Sequence, residues 1–153
     1  MDATVTLVDG MAFRAVGPSG HAIMLDAVPE AGGQGNGAGP LELVLLGLGG
    51  CTGMDVISML RKMRQDVTGY EVRLESVRAT EHPKVFTSIV VEHVVRGRGL
   101  NPGSVRRAVE LSATQYCPVA AMLGKTVAIT PRYRVIDEDA GTEVTGDLLT
   151  EPE

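Results

Sequence analysis

Tryptophan is absent from this chain of 153 residues, which holds only two phenylalanines and three tyrosines. An aromatic core is therefore excluded. Leucine, valine, isoleucine and alanine must do the packing, with the seven methionines as adaptable filler. The length suits one domain and allows one real core without covalent staples.

A basic excess is missing as well. The formal net charge is -5, whereas nucleic-acid binding calls for a basic face or stripe, so no nucleic-acid partner is expected. The one dense basic cluster, Arg61, Lys62 and Arg64, suits a helix C-terminus facing the macrodipole. No basic segment leads into an apolar stretch near Met1, so no signal peptide is expected. No run of 18 consecutive apolar residues occurs, so no membrane-spanning helix is expected either. A cytoplasmic protein is the resulting expectation.

Several catalytic signatures are also absent. The glycine-rich segment 29–39 contains neither Gly-x-Gly-x-x-Gly nor Gly-Lys-Ser/Thr, which argues against a phosphate cradle and for a flexible surface loop. There is no Gly-x-Ser-x-Gly elbow. His21, His82 and His93 do not fall at any compact zinc spacing with the cysteines. No metal and no cofactor are expected.

What is present is a pair of cysteines, Cys51 and Cys117. In a reducing compartment such a pair is catalytic, redox-sensing or metal-binding more often than a permanent staple. The alternative is two buried cysteines acting as small hydrophobes. Each lies inside a predicted helix where helical regularity is disturbed: Cys51 follows Gly49-Gly50, and Cys117 precedes Pro118. They are 66 positions apart (117 − 51), so only tertiary structure can join them.

Residues 4–8, 11–16 and 21–28 read as short antiparallel strands separated by Asp9-Gly10 and Gly17-Pro18-Ser19-Gly20. Residues 40–64 read as a long helix opened by Pro40 and Glu42. Its first half is apolar nearly all round, and Gly47, Gly49, Gly50 and Gly53 each cost about 1 kcal/mol of helix propensity. Such a run points to another backbone or a ligand at close range. Asp66 to Gly69 should end the helix. Residues 70–80 and 85–96 read as a β-hairpin. Asn101-Pro102 caps a second helix that runs to about Leu123, kinked or broken at Pro118. Residues 126–137 read as a last strand, and 138–153 as a loose acidic tail. The segregated order indicates an α+β fold with antiparallel sheet, one domain over residues 1–137. Asp55, four residues after Cys51, shares its helix face. A carboxylate there raises a neighbouring thiol pKa, orients a cation such as Arg14 or Arg61, or simply faces solvent at the helix flank.

Gly39-Pro40-Leu41-Glu42-Leu43, followed by Leu48-Gly49-Gly50-Cys51-Thr52-Gly53-Met54-Asp55-Val56, resembles the first cysteine motif of the OsmC/Ohr superfamily. Leu111-Ser112-Ala113-Thr114-Gln115-Tyr116-Cys117-Pro118-Val119 resembles the second. The segment His82-Pro83-Lys84-Val85-Phe86 and the Gly97 turn resemble the YhfA-like branch. The resemblance spans about residue 10 to 136. It implies two long central helices wrapped by antiparallel sheets, in an intertwined homodimer with a thiol site at each interface. It also implies reduction of organic hydroperoxides. Cys51 would become a sulfenic acid, Cys117 would resolve it to a disulfide, and a dithiol reductant, often lipoyl-linked, would reset the pair. Leu46, Met54 and Met122 would line an apolar substrate site.

At one point the chain departs from the family. Peroxidase members carry, ten positions before the first cysteine, a glutamate that pairs with an arginine to activate the thiolate. Leu41 occupies that position here, with Glu42 beside it. Nine helical residues turn through about 900°, so Glu42 should face away from Cys51 and serve the helix N-terminus. Arg14 is the candidate cation, with Met11 at the aligned position. Three readings follow: a thiol-dependent hydroperoxide reductase, a small-molecule-binding protein on the same fold, and a redox sensor.

Overall fold

The computed structural model describes residues 1–148. The chain divides into two compact units, Met1–Leu46 and the residues from Gly47 onward.

The first unit holds a three-stranded antiparallel sheet, β1 (Thr4–Asp9), β2 (Ala12–Val16) and β3 (Ala22–Leu25), in that order. Gly10 and Gly20 turn the chain between strands with φ of 52° and 77°, a region L-residues avoid. All six residues of β1 are exposed, Val5, Leu7 and Val8 among them.

The glycine-rich segment differs from the flexible loop expected. Asp26, 4% exposed, gathers it. Its carboxylate accepts from the amides of Ala27 (2.8 Å), Gln34 (3.1 Å) and Asn36 (3.0 Å). The Asn36 amide foremost holds the Asp26 carboxyl below the usual carboxylate range. Pro29–Ala31 forms one 3₁₀ turn, and Ala38 bridges back to Leu25.

Helix α1 (Pro40–Lys62) starts in the first unit and continues into the second. The Gly39 amide donates to the Glu42 carboxylate at 3.1 Å, the reach-back of a capping box. By length and composition alone α1 is long and apolar enough to cross a membrane. Glu42 and Asp55 interrupt its apolar sequence, and the core helix of a soluble protein can have the same length and composition. Within the second unit its Val56 and Leu60 belong to the core.

The second unit is a four-stranded sheet in the order β4 (Asp66–Arg78), β5 (Phe86–Arg98), β6 (Ala128–Asp137), β7 (Thr142–Asp147). Its core joins Val56 and Leu60 of α1, Val95 of β5, Val135 of β6, and Val105, Ala108 and Val109 of α2 (Pro102–Leu111). Asn101 caps α2 by accepting from the Gly103 and Ser104 amides. Two glycines of α1 admit side chains of β4 closely, where the glycine pattern pointed to a backbone or a ligand. A Cβ on Gly49 would lie 2.7 Å from Leu74, and one on Gly53 would lie 3.3 Å from Val72. Among the described residues, a Cβ on Gly47 or Gly50 would meet nothing within 4 Å.

Three further expectations are corrected. β5 and β6 pair in parallel, because the chain returns through a helical crossover and enters the sheet from the same end. Asp66–Gly69, expected to end the helix, already belongs to β4, with a bulge between Val67 and Gly69. The acidic stretch after Asp137 is not all loose. Thr142–Asp147 pairs antiparallel with β6, and Leu148 packs against the core. The rest of the expected tail, residues 149–153, lies outside the described residues.

The second helix is broken, one of the two outcomes expected at Pro118. After α2, Ser112–Tyr116 forms a π turn, and α3 (Pro118–Leu123) begins anew. The Cys117 amide donates to the Ser112 carbonyl at 3.0 Å, five residues back. Thr114 ties its hydroxyl to the Glu110 carbonyl at 2.8 Å. Cys117 is extended, with φ -74° and ψ 104°, as a residue before proline must be. Single π turns within helices recur at functional sites.

Candidate active site

The second unit brings the two cysteines together. The sulfur of Cys51, the sulfur of Cys117 and a carboxylate oxygen of Asp55 all lie within 4.8 Å of one another. Both thiols are free, Cys51 half-buried and Cys117 buried. The partnership of Cys51 and Asp55 follows from their i, i+4 spacing on α1. The arrival of Cys117 depends on the π turn, which displaces the chain just before it.

Cys117 caps α3, and its sulfur accepts from the Ala120 amide at 3.3 Å. Burial pushes its thiol up to about 11; the amides of Ala120 and Val119 pull the other way, and the neighbouring Cys51 adds to the rise. At neutral pH Cys117 is a protonated thiol.

Asp55 turns one side to a buried hydroxyl and another to an open cavity that Lys62 also lines. It is half-buried and accepts from the Ser112 hydroxyl at 3.0 Å. The Ser112 hydroxyl, fully buried, lies 2.8 Å from that of Thr52. The Thr52 hydroxyl lies 3.4 Å from Nε2 of His93, and Nδ1 of His93 lies 2.7 Å from the Tyr70 hydroxyl. The Tyr70 and His93 rings stack with centroids 6.1 Å apart. Burial pushes the His93 imidazole down to about 4, so it is neutral at pH 7. Burial, and then the charge of Asp55, raise the Tyr70 phenol above its ordinary value.

Asp55 also lines an open cavity of about 420 Å³ with Ser58, Met59, Lys62, Met63, Leu111 and Tyr116. Its wall is mixed: Met59, Met63 and Leu111 are apolar, and the other residues bring a carboxylate, a cation and two hydroxyls.

The remaining candidates are described within their own units. Arg14 is exposed on β2, opposite Thr6 and Met24. Glu42 serves the start of α1, as its helical phase required. Leu46, Met54 and Met122 are exposed at 54%, 74% and 64%, and within the second unit neither Met54 nor Met122 lines the cavity beside Asp55. Met59, Met63 and Leu111 do so instead, because the helix face carrying Asp55 carries Met59 four residues on. His93 is bound at both ring nitrogens. Cys51, Asp55 and Cys117 give three donors, one fewer than a closed tetrahedral zinc needs.

The sequence reading missed Ser112, Thr52, His93 and Tyr70 as one group. A partial signal existed at two of them: Thr52 stands among small residues, and His93 falls in the valine-rich stretch Val90-Val91-Glu92-His93-Val94-Val95.

The family model for OsmC-like proteins matches residues 33–132. Protein YhfA of Escherichia coli strain K12 is 46% identical over 137 residues, covering 89% of this chain and 98% of its own. A hypothetical protein from Aquifex aeolicus VF5 has a crystal structure that superposes with a TM-score of 0.79 at 28% identity, over 90% of this chain and 97% of that one. The organic hydroperoxide resistance protein OsmC of Legionella pneumophila superposes with a TM-score of 0.62 at 18% identity, over 88% and 94%.

Proposed function

Since the chain belongs to the OsmC-like family, we propose that it reduces organic hydroperoxides through Cys51 and Cys117. The observation that carries this reading is the approach of two free thiols, one half-buried and one buried, to within 4.8 Å. Their unequal environments support unequal roles. The buried Cys117 thiol, pushed up to about 11, is protonated and a poor nucleophile. Cys51, more open to solvent, makes the attack. Its sulfur takes the outer peroxide oxygen, the O–O bond breaks, and an alcohol leaves. The Cys51 sulfenic acid then condenses with the Cys117 thiol to give a disulfide and water. A dithiol reductant of the lipoyl type returns both thiols. The apolar wall of Met59, Met63 and Leu111 beside Asp55 suits an organic peroxide over hydrogen peroxide.

The same reading takes the protein to be cytoplasmic, where the disulfide can be reduced, and to be a homodimer. The wholly exposed β1 and the exposed Met54 and Met122 supply apolar surface for a second copy.

One observation favours a second reading, a binding protein with little peroxidase activity. Leu41 stands where peroxidases of the family carry the activating glutamate. Stopped-flow loss of thiols with stoichiometric cumene hydroperoxide separates the two. The reductase loses two thiols per chain rapidly, loses none in Cys51→Ser, and stops at a sulfenic acid in Cys117→Ser. Loss no faster than that of a free thiol, indifferent to both substitutions, leaves the binding protein.

A further inference from the structure

Five polar side chains converge in an otherwise aliphatic core: Thr52 and Asp55 from α1, Tyr70 from β4, His93 from β5 and Ser112 from the π turn. Their hydrogen bonds run in a single direction. A carboxylate only accepts, so Ser112 donates to Asp55. Having given its proton, Ser112 accepts from Thr52. Thr52 in turn accepts from Nε2–H of His93. A neutral imidazole carries one N–H, so Nδ1 is bare and accepts from the Tyr70 hydroxyl. The chain therefore reads Tyr70 to His93 to Thr52 to Ser112 to Asp55, with links of 2.7, 3.4, 2.8 and 3.0 Å.

Buried polar groups satisfy one another in any well-folded core. This set differs in where it ends. Its terminal acceptor lies within 4.8 Å of both sulfurs and on the wall of the cavity. We infer that Asp55 is the proton-transfer residue of the thiol centre, and that Ser112, Thr52, His93 and Tyr70 are positioning residues that aim its carboxylate. The inference rests on the peroxidase reading above. Asp55 takes the proton of the Cys51 thiol as sulfur bonds to the outer peroxide oxygen. The O–O bond breaks and the leaving alkoxide recovers that proton as alcohol. In the second step the S–S bond forms and the S–O bond breaks. Asp55 carries the Cys117 proton to the departing hydroxide, which leaves as water. Two thiols lose two protons and two electrons, and the peroxide gains them. This supplies a base in a chain that has Leu41 where the family has its glutamate.

The titratable groups facing Asp55 are Cys51, Cys117, Tyr70 and, through the hydroxyls, His93, with Lys62 and Tyr116 on the cavity wall. A carboxylate that merely sat near the thiols would oppose thiolate formation, and its removal would speed the reaction. A proton-transfer residue gives the opposite result, since general base catalysis contributes typically 10²–10⁴-fold.

The test measures single-turnover thiol loss with cumene hydroperoxide from pH 6 to 9 in wild type, Asp55→Asn, Thr52→Val and Thr52→Ser, with ¹⁵N NMR of His93 in each. Expected are a fall of about 10²-fold in Asp55→Asn, with a steeper rise of rate with pH than wild type. Thr52→Val falls about tenfold and its His93 loses the fixed Nε2–H tautomer, while Thr52→Ser restores both. An unchanged or faster Asp55→Asn overturns the inference, and so does a wild-type His93 protonated on Nδ1. A wild type inert to peroxide removes the peroxidase reading itself, and is thereby distinguished from a reactive wild type indifferent to Asp55.

Discussion

Ser112 donates its hydroxyl to the Asp55 carboxylate at 3.0 Å, joining the π turn to the face of α1 that carries Cys51. Cys117 leaves that turn five residues later, and its amide is held by the carbonyl of the same Ser112. One residue thus fixes a carboxylate with its side chain and a thiol with its backbone. The unusual turn is what lets it do both.

The Cys117 thiol gives a prediction at high pH. Its folded value, about 11, lies above the ordinary 9.0, so the fold favours the protonated form. The stability this contributes is complete below about pH 9 and is lost as pH rises through 11. Urea midpoints should fall between pH 8.5 and 10.5 in wild type and less in Cys117→Ala. In Cys51→Ser, alkylation of Cys117 by iodoacetamide should reach half its maximal rate well above pH 9, since burial remains. A midpoint at or below 9 would falsify the buried assignment.

His93 governs the acid side. Burial depresses it from 6.5 to about 4, so the folded protein refuses a proton that the unfolded chain accepts below 6.5. Stability is full above 6.5 and drops as pH falls toward 4, by at most about 3 kcal/mol, since each pKa unit is worth about 1.4 kcal/mol. Urea midpoints at pH 7 and 4.5 should show this drop in wild type and a smaller one in His93→Gln. Equal drops in the two proteins would mean that His93 is not held neutral.

Two glycines should respond oppositely to alanine. A Cβ on Gly97 would sit 2.1 Å from the Asp66 carbonyl oxygen, and backbone cannot yield as a flexible side chain does. Gly97→Ala should cost roughly 3 kcal/mol, at the upper end of overpacking costs. Gly50 lies within α1 with nothing inside 4 Å. Gly50→Ala should stabilise by about 1 kcal/mol through helix propensity, a rise of about 2–4 °C in melting temperature. Thermal melts of the two variants decide it, and a destabilised Gly50→Ala would indicate that a further partner covers that face.

Much of the fold was legible because local chemistry set it. Pro40 and Glu42 mark the start of α1, Asn101-Pro102 that of α2, and Gly10 and Gly20 the turns of the first sheet. The errors arose where distant partners decide. Thr142–Asp147 reads as polar tail because an outer strand needs few apolar residues once β6 offers it a ladder. The parallel pairing of β5 with β6 depends on which end of the sheet the returning chain enters. The 29–39 segment reads as flexible until Asp26 is seen to collect its amides.

The site divides along the same line. Sequence by itself determined the two thiols, the capping role of Glu42, and the shared helix face of Cys51 and Asp55, because spacing along one helix is fixed by its 3.6-residue period. Only the tertiary structure decided that Cys117 joins them and that Thr52, His93, Tyr70 and Ser112 form one directed chain behind Asp55. Those four come from separate elements, and a hydrogen bond depends on distances of a few tenths of an ångström that no one-dimensional pattern records.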